Sequence, residues 1–235
     1  MHNILAEKRA ISMDTSVCAR EKDKSAILAA SGRFKGFGRQ PLHDVRTQEV
    51  KSNPALEKMK RAWATCDDGH LDHGSIAGAL NKIKIPRYSA KDIETFSLAI
   101  AEFQDEVKFS DKAGLFLSAL INNCRDEKFV IHTTHLVQPI NSFGYQNRKN
   151  ITVDGNIGTS VGYDMEVGVI TVNGNAGFGV GCGMRGGRII VQGDCGYNVG
   201  INMSGGEIHI EGSYEISRSI VSGKIFHNGN LIVPK

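Results

Sequence analysis

The 235-residue sequence predicts an α+β fold, in which a small helical N-terminal region precedes a C-terminal right-handed parallel β-solenoid. Two observations support this. Apolar residues recur at helical spacing between about residues 53 and 123, and a glycine-rich unit of 19 residues repeats from residue 151 onwards. We therefore divide the chain into a flexible N-terminal arm (1–52), a helical domain (53–127) and the β-solenoid (128–235).

Composition narrows the class of protein. Hydrophobic residues make up 40% and charged residues 23% of the chain, as in globular proteins. No apolar run reaches the ~18 residues of a membrane-spanning helix. The N-terminus has no apolar segment of the kind found in secretory signals. The five cysteines are scattered, which indicates reduced thiols. Together these features predict a cytoplasmic protein.

The N-terminal arm shows no sustained period and is rich in charged residues and serine, which predicts flexibility. Its segment SGRFKGFGRQP (31–41) mixes glycine, basic residues and two phenylalanines, a composition that also suits RNA contacts. Residues 1–150 hold 23 Lys and Arg against 18 Asp and Glu, whereas residues 151–235 hold 5 against 7. Because the solenoid region is slightly acidic, nucleic-acid binding is not favoured.

The helical domain is predicted from apolar stripes at spacings of three and four. The segment NPALEKMKRAWATC, with Pro54 near its first turn, predicts one helix. SIAGALNKI predicts a short helix that ends before Pro86. Ser89 and Asp92 resemble a capping box that opens the next helix. Ser110 is expected to cap a last helix, DKAGLFLSALINN, which is apolar nearly all round and should be buried.

The repeat consists of ITVDGNIGTSVGYDMEVGV and the two units that follow it, with a degenerate unit at each end. Each unit predicts one short alternating strand, a glycine turn and a second short segment, and the strands stack at about 4.8 Å. Inward ladders are expected at Ile151/Ile170/Ile189/Ile208, Val153/Val172/Val191/Ile210 and Met165/Met184/Met203.

Glycine recurs in the repeat for a physical reason. A stacked corner turns sharply and leaves no room for a side chain, so glycine is expected at fixed columns, among them Gly158/Gly177/Gly196 and Gly162/Gly181/Gly200. The column Asn156/Asn175/Asp194 suits either a left-handed backbone or a stacked amide ladder. The helical domain is expected to cover the strand edge at the start of the stack.

The columns G-N-x-G-x-x-V-G-x-x-M-x-x-G, followed by a β-branched strand, resemble the GXGXG repeat domain. That domain forms the C-terminal β-helix of the glutamate synthase large subunit and is similar to the C subunit of formylmethanofuran dehydrogenase. The resemblance covers about Phe129–Val233. It implies a right-handed β-helix with a structural, partner-docking role, because the catalytic groups in those families lie on other domains or subunits. This chain has fewer repeats and a helical region that matches neither family.

The segment GNAGFGVGCGMRGG (174–187) contains G-x-G-x-x-G at Gly181–Gly186, the spacing of a dinucleotide-binding turn. Such a turn follows a strand and opens a helix, whereas the residues that follow here predict a strand. Neighbouring units repeat the same glycines without the full fingerprint. We therefore interpret the segment as a stacked corner, and no P-loop sequence occurs elsewhere.

Two clusters contain metal-ligand residue types. Cys66, His70 and His73 lie within eight residues, but their spacing matches no standard zinc site, which favours a polar interhelix loop. His132 and His135 are three residues apart on a predicted strand, so their side chains should face opposite ways.

Two cysteines are candidate nucleophiles. Cys182 lies beside Arg185, which would lower a thiol pKa, yet its column holds Tyr163 in the preceding unit. Cys195 falls in a column of packing residues. The sequence predicts no catalytic, cofactor-binding or metal-ligating residue and no cofactor.

The predicted function is that of a non-catalytic structural or interaction protein whose β-solenoid docks a partner subunit or associates with itself. An alternative is a non-catalytic subunit of a glutamate-synthase-like or formylmethanofuran-dehydrogenase-like enzyme complex. RNA binding through the basic N-terminal arm is a further alternative. No membrane partner is predicted.

Overall fold

The computed structural model describes residues 53–66, residue 85 and residues 87–234. Helix α1 spans Pro54–Thr65, α2 spans Ala90–Ala99 and continues into a 3₁₀ turn at Ile100–Phe103, and α3 spans Phe109–Asn123. One sheet follows, with strands β1 (Lys128–His132), β2 (Asn150–Asp154), β3 (Val169–Val172), β4 (Arg188–Val191), β5 (Ser204–Ile210), β6 (Ser222–His227) and β7 (Asn230–Pro234). This order confirms the predicted fold class.

Two predicted segments lie outside the described residues. They are the N-terminal arm and the short helix over residues 75–83. Among the described helices, none is long and apolar enough to cross a bilayer.

Strands β1 to β6 pair in chain order and in parallel. In the regular coils a strand residue pairs with the residue 19 positions on, as Ile151 with Ile170 and Ile170 with Ile189. The end coils differ, because Phe129 pairs with Ile151 and Ile208 pairs with Ile225. The degenerate end units predicted from the sequence are therefore confirmed.

The core of the stack contains the three expected ladders. Their isoleucines, valines and methionines are at most 2% exposed. Each such side chain contributes roughly 1.5–3 kcal/mol by leaving water, so the ladders stabilise the stack of coils. The second segment of each coil forms no strand in the described chain. Outside the named strands the described coils make only isolated bridges, because glycine turns break the extended backbone. These bridges are Ile157 to Ala176, Ala176 to Cys195 and Val199 to Ile216.

Glycine is required at the corners for two separate reasons. A Cβ on Gly177 would lie 2.8 Å from the backbone of Gly158 in the coil below, which excludes any side chain. Gly181 has a φ of +69°, and its Cβ would also lie 2.5 Å from Cδ1 of Ile208. The stacked-corner interpretation of this segment is confirmed by these contacts.

The Asn/Asp column forms a ladder that links side chains to backbone. Asn156 Oδ1 accepts from the Asn175 backbone N–H at 2.8 Å, and Asn175 Oδ1 accepts from Asp194 N–H at 2.8 Å. Asp194 Oδ1 continues the series to Ser213 N–H at 2.7 Å. None of the three residues has a left-handed backbone, and the bonds join side-chain oxygens to backbone N–H groups in place of a stack of side-chain amides.

The helices enclose an aromatic cluster around Trp63. Its ring stacks on Phe103 at 5.1 Å and meets the edge of Phe116 at 5.3 Å. Lys112 is 3% exposed, yet its Nζ lies 2.9 Å from a Glu106 carboxylate oxygen and 4.6 Å above the Trp63 ring. The buried charge is thus matched by an acidic partner and an aromatic face.

The helical region covers the β1 edge of the sheet, as predicted. Ser97 on α2 is fully buried, and its Oγ accepts from the His132 backbone N–H at 3.2 Å. Ser118 on α3 does the same for Gly144 N–H at 2.8 Å. Two serine hydroxyls therefore take the place of a further strand at this end of the stack.

The predicted caps had different outcomes. The capping box at Ser89 and Asp92 is present in both directions. The expected cap at Ser110 is wrong, because α3 begins at Phe109, two residues before the expected start at Asp111, with Lys108 in the left-handed region at the N-cap. Phe109 is 1% exposed, and its burial in the aromatic cluster draws the helix start back to include it.

The C-terminal end is closed by a hairpin that the repeat did not predict. β7 runs antiparallel to β6, and the loop between them consists of Asn228 and Gly229. Both residues have positive φ, at 48° and 77°, as a type I′ turn requires.

Candidate functional site

The face of the sheet that points away from the core is the main candidate surface. The strand register aligns one residue per strand along its middle, and we call this set the outer column. It comprises Val130, Thr152, Thr171, Ile190, His209 and Phe226. Val130 is 40% exposed and the other five are partly exposed, because alternate residues of a strand face opposite sides of the sheet. No described element covers this column.

Charged residues flank the outer column on both sides. In each strand, one flanking residue lies two positions before the residue of the outer column. These flanking residues also align by register, and they include Lys128, Arg188, Glu207 and Lys224. The residues two positions after the outer column include Asp154 and Glu211, both exposed. One side of the face is therefore mainly basic and the other acidic.

A groove of about 400 Å³ lies on this face at the β4–β6 end. Ile190 lies between Arg188 and His209 on its wall, and the β6–β7 turn, with Asn228, closes one side. The His209 ring stacks on Phe226 at 4.4 Å with an interplanar angle of 9°. The groove thus combines a small apolar and aromatic surface with a charged rim.

Glu207 organises the charges beside the groove. It accepts from Arg188 Nε at 3.0 Å and from the guanidinium Nη2 at 2.8 Å, and His209 Nε2 lies 3.3 Å away. Hydrogen bonds from Arg188 first, and from His209 second, hold the pKa of Glu207 below its usual range. Because its Oε2 accepts both bonds from Arg188, this carboxylate is a fixed counter-ion and not a poised base.

The Gly181–Gly186 segment does not have the geometry of a nucleotide site. A Cβ on Gly186 would lie 2.3 Å from the Glu166 carbonyl oxygen of the coil below. Strand β4 starts two residues later, at Arg188, where a dinucleotide-binding turn would open a helix. The glycines of this segment therefore face protein, and no cradle for a phosphate is formed.

The two weighed cysteines are packing residues. Cys182 is 2% and Cys195 is 1% exposed. Burial, with a smaller contribution from Asp194, raises the pKa of Cys195 to about 12, so its thiol does not ionise near neutral pH. Arg185, expected near Cys182, has its guanidinium 3.7 Å from the Asp164 carboxylate.

The expectation that His132 and His135 lie on one strand is wrong, because β1 ends at His132 and His135 lies in the turn that follows. The two ring nitrogens of His132 lie 3.1 Å from Asp154 Oδ2 and 3.4 Å from Glu94 Oε1, so this side chain connects α2 to β2. His135 turns towards the end of α2, and burial lowers its pKa, with nearby His132 adding to the effect.

The other candidate cluster is only partly described. Cys66 is buried at the end of α1, whereas His70 and His73 lie outside the described residues. Within the described ranges, no three His, Cys, Asp or Glu side chains converge in a way that could hold a metal ion.

Sequence reasoning did not identify the outer column or the groove. The six residues of the outer column share no chemical type, and only the alternation of side chains along each strand places them on the outer face. The Asn228-Gly229 pair was the one strong local signal of the closing turn. Comparisons with protein-family models, with curated proteins and with solved structures gave no match.

Proposed function

We propose that the chain is a non-catalytic interaction protein whose β-solenoid binds a partner protein, or a second copy of itself, on the outer face. The observation that carries this proposal is the uncovered outer column of a parallel sheet. Parallel sheets in α/β proteins are usually covered on both faces, and here only the inner face is buried by the described chain. We also propose the cytoplasm as its compartment.

The size of the face indicates what kind of interface it would form. Six strands at about 4.8 Å spacing, each contributing about five residues at 3.3 Å, give roughly 29 Å by 17 Å. That is about 500 Å² in projection, below the roughly 800 Å² per partner of a standard stable interface. A stable partner would therefore extend beyond the sheet over an adjoining corner, whereas a transient partner would use the face alone.

The charges suggest how a partner would be oriented. A complementary partner would carry an acidic strip opposite Lys128 and Lys224. It would also carry a basic strip opposite Asp154 and Glu211. Rim charges of this kind mainly affect the association rate, so binding should weaken as salt increases.

The test compares lysine substitutions at two apolar residues in different locations, of which Ile190 is partly exposed and Val107 is exposed. Ile190→Lys charges the centre of the face, and Val107→Lys charges an apolar residue that is 76% exposed between the 3₁₀ turn and α3. Co-purification from the native host and light scattering against protein concentration report a partner and self-association respectively. We expect Ile190→Lys to weaken binding by about tenfold or more. Equal effects of the two substitutions, or no associated protein at all, would contradict the proposal.

A second candidate is a non-catalytic subunit of a glutamate-synthase-like or formylmethanofuran-dehydrogenase-like complex. What favours it is the resemblance of the repeat columns to the GXGXG domain. Here the co-purifying protein would carry an amidotransferase, flavin or tungsten/molybdenum centre, which its mass and absorption spectrum would identify.

RNA binding through the N-terminal arm concerns residues outside those described. Salt-dependent RNA binding that is lost on deleting residues 20–50 would support it.

A further inference from the structure

We propose that Asn228 is a site of spontaneous modification, at which the side-chain amide is lost and the residue becomes aspartate or isoaspartate. The reaction needs an asparagine followed by a residue whose backbone nitrogen is unshielded, and glycine shields it least. Asn-Gly occurs twice in the sequence, at residues 173–174 and 228–229. Both asparagines are exposed, but the glycines that follow them differ in their contacts, so the chain contains its own comparison.

The Asn228–Gly229 pair is open to solvent. Both residues are exposed and form the two-residue loop between β6 and β7. Apart from its two chain neighbours, no residue lies within 4 Å of the position that a Cβ of Gly229 would occupy. The Asn228 Nδ2 lies 3.1 Å from the His227 ring Nε2. Nothing packed against Gly229 opposes rotation of this peptide.

The Asn173–Gly174 pair is held within the stack. A Cβ on Gly174 would lie 2.6 Å from the Gly155 carbonyl oxygen and 2.7 Å from Asn156 Oδ1. The Gly174 carbonyl oxygen also accepts from Gly193 N–H at 3.0 Å in the coil above. Rotating this peptide would break contacts on both sides, so reaction there requires local opening of the coil.

The atoms of the reaction balance without any co-reactant other than water. The Gly229 backbone nitrogen, having lost its proton to solvent base, attacks Cγ of Asn228 and forms a C–N bond. The Cγ–Nδ2 bond breaks and the nitrogen leaves as ammonia after taking up a proton. Water then opens the five-membered imide at either carbonyl, giving aspartate or isoaspartate.

The modification would change the groove in two ways. Asn228 lines the groove together with Arg188, His209 and Glu211, so a new carboxylate adds negative charge beside Glu211. Isoaspartate also adds a methylene to the main chain of a two-residue loop, which no longer fits the pairing of His227 with Asn230. The site itself is independent of the docking proposal, whereas any effect on binding rests on the proposed function.

The test incubates the full chain, folded and in urea, in mildly alkaline buffer and maps the peptides by mass spectrometry. Methylation by an isoaspartyl methyltransferase identifies the isoaspartate product. In the folded chain we expect the rate at Asn228 to exceed that at Asn173 by more than about tenfold, equivalent to about 1.4 kcal/mol of local opening. In urea the two rates should become similar. Asn228→Gly, which also suits the turn, should remove the signal without lowering the melting temperature.

Two results would overturn the proposal. One is that Asn228 stays unmodified in the folded chain over a period in which it reacts in the chain in urea. The other is reaction at Asn173 as fast as at Asn228 in the folded chain. The effect of the modification on binding is measured separately, with the variant Asn228→Asp. If the docking proposal fails, the modification rates at Asn228 and Asn173 still test the present proposal.

Discussion

At the scale of single residues, two glycines of the same corner, Gly177 and Gly179, have different physical roles. At Gly177 there is no room for a side chain, because a Cβ would lie 2.8 Å from the backbone of Gly158. Gly179 has space, since the nearest atom to its Cβ position is Ser160 Oγ at 3.6 Å, and it needs only a left-handed backbone, with φ at +70°. In other coils Ser160 and Asn198 adopt that conformation at the equivalent position.

This difference predicts opposite outcomes for two substitutions. Gly177→Val should lower the free energy of unfolding by about 1–3 kcal/mol or more, because the coils must separate to admit the side chain. Gly179→Asn should change it by less than about 0.5 kcal/mol, because asparagine tolerates the left-handed region. Denaturant unfolding of both variants measures the difference. If both cost the same, stacking is not what requires Gly177.

Asp164 gives a prediction with a defined pH dependence. Burial raises the pKa of this carboxyl group, with Glu166 contributing in the same direction and Arg185 opposing. The folded state thus holds the proton more tightly than the unfolded chain. The resulting stabilisation is present below the unfolded pKa and is lost as pH rises through the folded pKa.

Asp164→Asn should therefore raise the melting temperature at neutral pH. The gain should shrink as the pH falls below the usual range for aspartate. Asparagine fits the corner, because Asn202 has nearly the same φ, 55° against 53°, at the equivalent position. Calorimetry across acidic and neutral pH measures this. A gain that is constant with pH would show that desolvation of the carboxylate is not the cause.

At the scale of elements, the junction between helices and sheet depends on a few buried hydroxyls. Ser97→Ala should leave the His132 N–H without its partner and cost about 1–3 kcal/mol. Hydrogen exchange resolved by residue should show faster exchange at His132, with little change at Ile189 in the middle of the stack. Thr95→Ala, on the same helix and partly exposed, serves as the control, because the Thr95 hydroxyl bonds only within α2, to the Lys91 carbonyl oxygen. Equal protection of His132 in both variants would contradict the assigned role of Ser97.

The elements differ in how well the sequence predicts them. The isoleucine and valine columns predict the register of β2 to β5, because a strand slipped by one residue would expose the whole ladder. The start of α3 was placed wrongly, after a cap at Ser110, since local capping preference competes with burial of Phe109, which only the tertiary structure reveals. β7 was missed because the last unit was interpreted as a shortened coil, although Asn228-Gly229 indicates a hairpin.

At the scale of the whole molecule, the candidate surface is less predictable than the fold. Core ladders repeat the same residue type, so they form a detectable period. The outer column runs Val, Thr, Thr, Ile, His, Phe and has no such period, because solvent does not require one. Its composition reflects what binds there, and no physical rule of folding encodes that in a single chain.

The most direct test of the docking proposal uses a photo-cross-linking amino acid placed at Thr171, at the centre of the outer face. The same residue at Val107, which is 76% exposed on the helical side, is the control. Irradiation in the native host should yield a defined cross-link to one protein, or to a second copy of the chain, from Thr171 alone. No product from Thr171, or the same products from both positions, would contradict the proposal that this face is the docking surface.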